Sequence, residues 1–189
     1  MLVLASASPR RRALLQAAGI AFRVVEPRVD EHDPERGDPH AVALANAVRK
    51  AEAVSGDAVL GADTVVAVGD RLLGKPRDAA HARELLAALS GTTHRVVTGV
   101  ALVAGGRTRT RSVETRVTMR PLSPAEIEAY VASGEAMGKA GAYAIQETAD
   151  RFVTALDGPF DNVVGLPVDA VRELLEESRR GGGGDRKEE

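Results

Sequence analysis

The chain has no cysteine and no tryptophan, and aromatic residues make up only 3% of its 189 positions. Without cysteine it forms no disulfide and carries no thiol nucleophile. So few aromatics leave little to stack the bases of a single strand. Net charge is small as well: 25 Lys and Arg stand against 27 Asp and Glu, a formal −2. No basic field therefore draws the chain to nucleic acid or to an anionic membrane surface. The histidines, His32, His40, His81 and His94, fall at spacings that match no zinc site. No apolar run approaches the roughly 20 residues that span a bilayer. The run Leu2–Ala5 is short and precedes its arginines, the reverse of a secretory signal. The expectation is a cytoplasmic chain with neither nucleic acid nor membrane as partner. Its 44% hydrophobic and 28% charged residues suit a globular protein long enough to bury a core.

What is present starts at the N-terminus, with Ser6-Ala7-Ser8-Pro9-Arg10-Arg11-Arg12 directly after the apolar run. Pro9 suits the first position of a helix and Ser8 its N-cap. Free N–H groups and the positive dipole end make such a terminus an anion site. Three arginines in that turn oppose the dipole, which makes sense if a phosphate chain lies between them. A solvated basic face would account for them equally well.

The first helix is expected over Pro9–Ala18, with Leu14 and Leu15 inward, followed by a strand over Phe22–Val25 and a polar loop over Pro27–Pro39. A second helix starts at Asp38-Pro39 and runs to about Val54. Ala58-Val59-Leu60 reads as a strand that Gly61-Ala62-Asp63-Thr64 interrupts and Val65–Val68 resumes. Gly69-Asp70 turns toward Leu72-Leu73, and a helix follows over Ala79–Leu89. Gly105-Gly106 joins His94–Ala104 to Arg107–Met119 as a hairpin. Ser123-Pro124-Ala125-Glu126 is a capping box that opens a helix to Ala132. A Gly-rich segment, Gly134–Gln146, is expected to end in a short β stretch. Phe152–Leu156 reads as a strand and Pro167–Glu177 as the last helix. Alternation early and hairpins in the middle give an α/β class with a mixed sheet. The folded part is read as one domain over residues 1–178, with a disordered Gly-rich, charged tail over residues 179–189.

Among the polar residues, Asp63 follows small and apolar residues and is the leading candidate for a general base or a ligand to a divalent cation. An Asp that merely caps a turn is the alternative. Glu31 could supply a second oxygen ligand, as could Asp30 or Asp33, and composition does not rank them. Lys75, held between Gly74 and Pro76, could aim its ammonium at a phosphate, and Lys50 could be a second cation. Gly138–Gln146 combines a flexible backbone with a side chain able to read a base edge, but it lacks the spacing of a Walker loop. Together these features suggest phosphoryl chemistry.

In order along the chain, Ser6-Ala7-Ser8-Pro9-Arg10-Arg11, Val29-Asp30-Glu31, Gly61-Ala62-Asp63-Thr64, Gly74-Lys75-Pro76, Leu89-Ser90-Gly91, Gly138-Lys139-Ala140-Gly141 through Gln146, and Asn162–Pro167 resemble the Maf-like nucleoside triphosphate pyrophosphatases. The resemblance spans about Leu2 to Glu177. It implies an elongated mixed-sheet fold with two lobes and a central cleft, similar to the inosine triphosphate pyrophosphatases. It also implies a hydrolase that splits a nucleoside triphosphate between the α- and β-phosphates. By the same resemblance Asp63 and Lys75 are catalytic, and Glu31 and Asp63 hold Mg²⁺ or Mn²⁺. Ser6, Arg10, Arg11, Lys50, Thr64 and Gln146 bind substrate. Thr64 and Gln146, with Arg10, mark the branch that prefers dTTP and UTP, including modified pyrimidine nucleotides removed as house-cleaning. A 7-methyl-GTP preference, or a nucleotide-binding regulator of septum formation, is the alternative, and a homodimer is the family expectation. One departure stands out: Glu147-Thr148-Ala149-Asp150 occupy positions where the family has glycines, which bears on the base-binding loop.

Overall fold

The computed structural model describes residues 1–181 of the chain. Seven strands form one mixed sheet. In order along the chain come β1 (Leu2–Ala5), helix α1 (Pro9–Ala17), β2 (Phe22–Val25), α2 (Pro39–Glu52), β3 (Ala58–Val68), β4 (Arg71–Leu73) and α3 (Ala79–Leu89). The hairpin β5 (Thr93–Ala104) and β6 (Arg107–Met119) follows, then α4 (Pro124–Ala132), β7 (Val153–Asp157), α5 (Phe160–Val164) and α6 (Val168–Gly181). Spatially the strands run β2-β1-β3-β5-β6-β7, with β4 against the far end of β3. The β1 strand lies parallel to β2 and β3, while the other pairings are antiparallel.

The caps expected from sequence form. Ser8 accepts from the Arg11 N–H, Asp38 from the His40 N–H, and Ser123 with Glu126 closes a full capping box. Gly105 and Gly106 both take positive φ at the β5–β6 turn, the backbone a two-residue hairpin requires.

The expected break in β3 does not occur. Ala58 to Ala67 pair with β5 without a bulge, Gly61 facing Ala101 and Asp63 facing Gly99. Gly61 is there for helix packing: a Cβ on it would lie 2.1 Å from the Ala47 carbonyl oxygen, and one on Gly99 2.5 Å from the Ala43 carbonyl carbon. Helix α2 meets the sheet through Ala43, Ala47 and Ala51, all fully buried. Small residues on both surfaces bring the helix backbone almost onto the strands.

Three further expectations differ. The Gly134–Gln146 segment ends in turns and a short 3₁₀ helix at Ala140–Ala142, with no strand. A second 3₁₀ turn over Thr148–Phe152 and the helix α5 were not foreseen, being too short for a periodicity to register. Helix α6 runs past Glu177, so Arg179–Gly181 are helical. The rest of the tail read as disordered lies outside the described residues.

Apolar packing divides mainly between two clusters. One gathers Leu4, Leu15, Leu60, Ala62, Leu102 and Leu166 around β1, α1 and α6. The other gathers Val66, Leu85, Leu89, Tyr130, Ile145 and Phe152 around α3, α4 and the segment before β7. Along β3, Leu60 and Ala62 belong to the first and Val66 to the second, so Asp63 and Thr64 lie at the junction. The expected two lobes and cleft correspond to this division.

Candidate active site

A cavity of about 420 Å³ opens at that junction. Ser6 enters it from the β1–α1 turn, Arg10 and Arg11 from the first turn of α1, Glu31 from the loop before α2, Lys50 from α2, Asp63 and Thr64 from β3, and Lys75 from the turn after β4. Eight of the nine site residues singled out from sequence thus line one space. Gln146 is exposed and is not among the lining residues; its neighbour Ile145 lines a smaller recess shared with Arg10 and Thr64.

Charge in the cavity is paired across elements. The Lys50 Nζ donates to Asp63 Oδ1 at 2.7 Å and to the Ala62 carbonyl at 3.3 Å, and lies 2.7 Å from Glu31 Oε1. Lys75 donates to the other Glu31 oxygen at 2.8 Å. Burial raises the Glu31 carboxyl, but the hydrogen bonds from Lys50 and Lys75 outweigh it and hold the group down at about 2. Glu31 is therefore ionised throughout the physiological range. Burial, and then the Glu31 and Asp63 carboxylates, push Asp33 in the opposite direction.

Arg11 is fixed by the fold more than by its own helix. Its Nε donates to the Gly165 carbonyl at 2.8 Å and its Nη2 to Thr64 Oγ1 at 3.1 Å, with Ser6 Oγ 3.5 Å from Nη1. Thr64 Oγ1 lies 2.9 Å from Thr98 Oγ1, which donates to the Asn162 carbonyl at 2.9 Å. The donors therefore run one way, from Arg11 through Thr64 and Thr98 to the backbone of α5. Burial lowers the Arg11 pKa from its ordinary value, opposed by Asp63 and Glu31; at any working pH the guanidinium stays charged.

Two residues of this arrangement are not singled out by sequence patterning. Thr98 is an ordinary strand threonine until its register against Thr64 is known. Asn46 is 2% exposed and donates to Asp63 Oδ2 at 3.0 Å. The available signal for it was periodicity: Val42, Ala43, Ala47 and Ala51 form the buried stripe of α2, and Asn46 and Lys50 are the polar members of that stripe, one turn apart.

A match to the family model described as Maf-like protein covers residues 1–178. The chain belongs to the Maf-like family. Among its relatives, the dTTP/UTP pyrophosphatase of Symbiobacterium thermophilum is 47% identical over 178 residues, covering 92% of each chain. The dTTP/UTP pyrophosphatase of Moorella thermoacetica is 48% identical, covering 92% of this chain and 93% of its own. That of an Anaeromyxobacter species is 50% identical over 181 residues, covering 92% and 87%. Relatives of such similarity share the Maf-like fold, and the mixed sheet with flanking helices is that architecture.

Among the described residues no three histidine, cysteine or acidic side chains cluster as a metal site. Glu31 and Asp63 make a two-carboxylate set joined through Lys50. Magnesium commonly takes one or two carboxylates and fills its octahedron with substrate phosphates and water. Glu31 and Asp63 are thus oxygen donors of the kind Mg²⁺ or Mn²⁺ takes, here engaged by Lys50, Lys75 and Asn46.

Proposed function

We propose that this Maf-like chain hydrolyses dTTP and UTP, releasing the nucleoside monophosphate and pyrophosphate. The observation that carries the proposal is the meeting of Arg10, Arg11, Lys50 and Lys75 around the Asp63 and Glu31 carboxylates in one cavity. Cations in that number suit a polyanionic substrate, and two carboxylates suit a divalent ion and a base. The names of the relatives supply the nucleotides.

In this reading Ser6, Arg10, Arg11 and Lys50 engage the phosphate chain beside the N-terminus of α1, where unpaired N–H groups favour anions. Asp63 takes the proton of the attacking water, and Lys75 stabilises charge that develops on the departing pyrophosphate. Glu31 and Asp63 would hold the divalent cation, whose chemistry is to neutralise phosphate charge and polarise the bond. Thr64 and Gln146 would set the pyrimidine preference. A carboxamide both donates and accepts, as the edge of uracil or thymine requires.

The proposal extends to a cytoplasmic homodimer with no nucleic-acid or membrane partner. No helix among the described residues is long and apolar enough to cross a membrane. Leu156 of the edge strand β7 and Phe160 of α5, 38% and 49% exposed, offer apolar surface for a second copy.

The test is pyrophosphate release from a panel of dTTP, UTP, CTP, 5-methyl-UTP, 7-methyl-GTP, dITP and ATP with Mg²⁺ or Mn²⁺. Fastest turnover of dTTP and UTP, abolished by chelation and restored by metal, is the expected outcome. Preference for 7-methyl-GTP would refute the pyrimidine assignment, and no release from any nucleotide would refute the activity.

A further inference from the structure

We propose that Asn46 is a positioning residue of this reaction, clamping the Asp63 carboxylate and the Glu31 loop in a single geometry. The proposal rests on the reading of Asp63 as the base. The Asn46 carboxamide is buried between β3 and the loop before α2, and its polar atoms are engaged on both sides. Its Oδ1 accepts from the His32 backbone N–H at 2.9 Å, while its Nδ2 donates to the His32 carbonyl at 2.8 Å and to Asp63 Oδ2 at 3.0 Å.

The amide orientation follows from the backbone. A peptide N–H only donates, so the side-chain oxygen faces it, and the NH₂ is left for the His32 carbonyl and Asp63. Both NH₂ hydrogens then have acceptors. The loop peptide thereby dictates that a donor, not an acceptor, faces the Asp63 oxygen. Lys50, one helical turn later, donates to the other oxygen. Two donors from a single rigid helix face hold the carboxylate plane, and the close approach at Gly61 and Gly99 sets their height above the strand. Because His32 adjoins Glu31, the same amide couples the two carboxylates of the site.

An apolar residue of similar size would fill the space and release Asp63. An aspartate would match the shape but set an acceptor against both the His32 carbonyl and Asp63. Packing alone predicts that aspartate is the milder change in shape; the clamp predicts that it is no better than leucine.

The experiment uses the full chain carrying Asn46→Leu or Asn46→Asp, each alone and combined with Asp63→Asn. Thermal unfolding establishes that each variant is folded, and Asn46→Ser replaces Asn46→Leu in the cycle if that variant is not. Pyrophosphate release from dTTP gives kcat and KM, and α,β-imido-dTTP gives substrate affinity without turnover. Asn46→Leu is expected to lower kcat about 10- to 100-fold, the usual cost of losing a residue that orients a reacting group. KM and analogue affinity should stay within about threefold of the parent. Asn46→Asp should lose at least as much, and neither change should slow the Asp63→Asn variant further, since there is no carboxylate left to orient. Equal fractional losses in both backgrounds, a loss confined to KM, or parent-like kcat in folded Asn46→Leu would overturn the clamp. A parent that releases no pyrophosphate, or Asp63→Asn at parent rate, would instead sink the reading beneath it, and the clamp with it.

Discussion

The two walls of the cavity are built differently. On the α2–β3 side the polar groups are buried and multiply bonded: Lys50 and Asn46 reach Asp63 from one helix face, and Arg11 is tied to Thr64 and Gly165. On the side of residues 134–148 the charged side chains pair within the segment, while the buried Tyr143 reaches His94. Lys139 pairs with Glu147 and also donates to the Glu135 carbonyl at 2.5 Å, and Thr148 Oγ1 donates to Glu135 at 2.6 Å. Ala142, with φ of +62°, is the non-glycine residue of this segment in the left-handed region, a strained backbone that the surrounding packing must hold. Lys50, Asp63, Arg11 and Thr64 are thus held on secondary structure, whereas Gln146, proposed to meet the base together with Thr64, lies on a looped segment. A chain so divided can alter base preference without disturbing its chemistry.

The largest effect is expected where the rigid wall is broken at its centre. Asp63→Asn should retain α,β-imido-dTTP binding and lose about 100- to 10,000-fold in kcat, the range for removing a general base; turnover assays with and without the analogue check this. Next is the packing that sets the wall. Gly61→Ala puts a Cβ into the α2 backbone, so helix and strand must separate. Overpacking of this kind costs about 1–3 kcal/mol, measurable by urea unfolding, and kcat should fall with it because Lys50 and Asn46 move away from Asp63.

The seam between the walls comes third. His94 of β5 is 1% exposed and its Nε2 lies 2.7 Å from the Tyr143 hydroxyl, in the looped segment. Burial lowers the His94 pKa from 6.5 to about 4. The imidazole is thus neutral in the folded chain over a range where the unfolded chain would protonate it. Its contribution is complete above about pH 6.5 and is lost as pH falls toward about 4. Between about pH 8 and about pH 5 the loss should be about 2 kcal/mol. His94→Phe should remove that share of the pH dependence in urea unfolding. The smallest effect belongs to the looped wall. Glu147→Gly removes a partly exposed ion pair, worth no more than about 1 kcal/mol, so stability and kcat should stay near the parent. The ratio of kcat/KM for dTTP over competing nucleotides should move instead, and an unchanged ratio would erase the distinction between the walls.

Much of the fold was legible because its signals are local. Ser8, Asp38 and Ser123 cap helices with side-chain oxygens, and Gly105-Gly106 makes a tight turn, whatever surrounds them. Gly61 was misread for the opposite reason. Within the strand it resembles a break, and only the approach of Ala47 from another element explains the missing side chain. The segment 134–148 was equally illegible, since its turns depend on Gly74, whose carbonyl accepts from the Gly141 N–H at 3.1 Å, and on the Lys139–Glu147 pair. The nine site residues could be named in advance because their order along the chain is a family pattern, and all but Gln146 line the cavity.

By itself the sequence determined the order of the longer helices and strands, the caps, the mixed α/β class and the set of polar residues from which a phosphate site could be drawn. These follow from short-range backbone preferences and from the chemistry of side chains. The tertiary structure alone decided that Asp63 lies in the middle of an unbroken strand, that Lys50 joins it to Glu31, and that Asn46 fixes its second oxygen. Each of those facts depends on how near α2 lies to the sheet, and that distance is set by small residues far apart in the chain meeting across an interface.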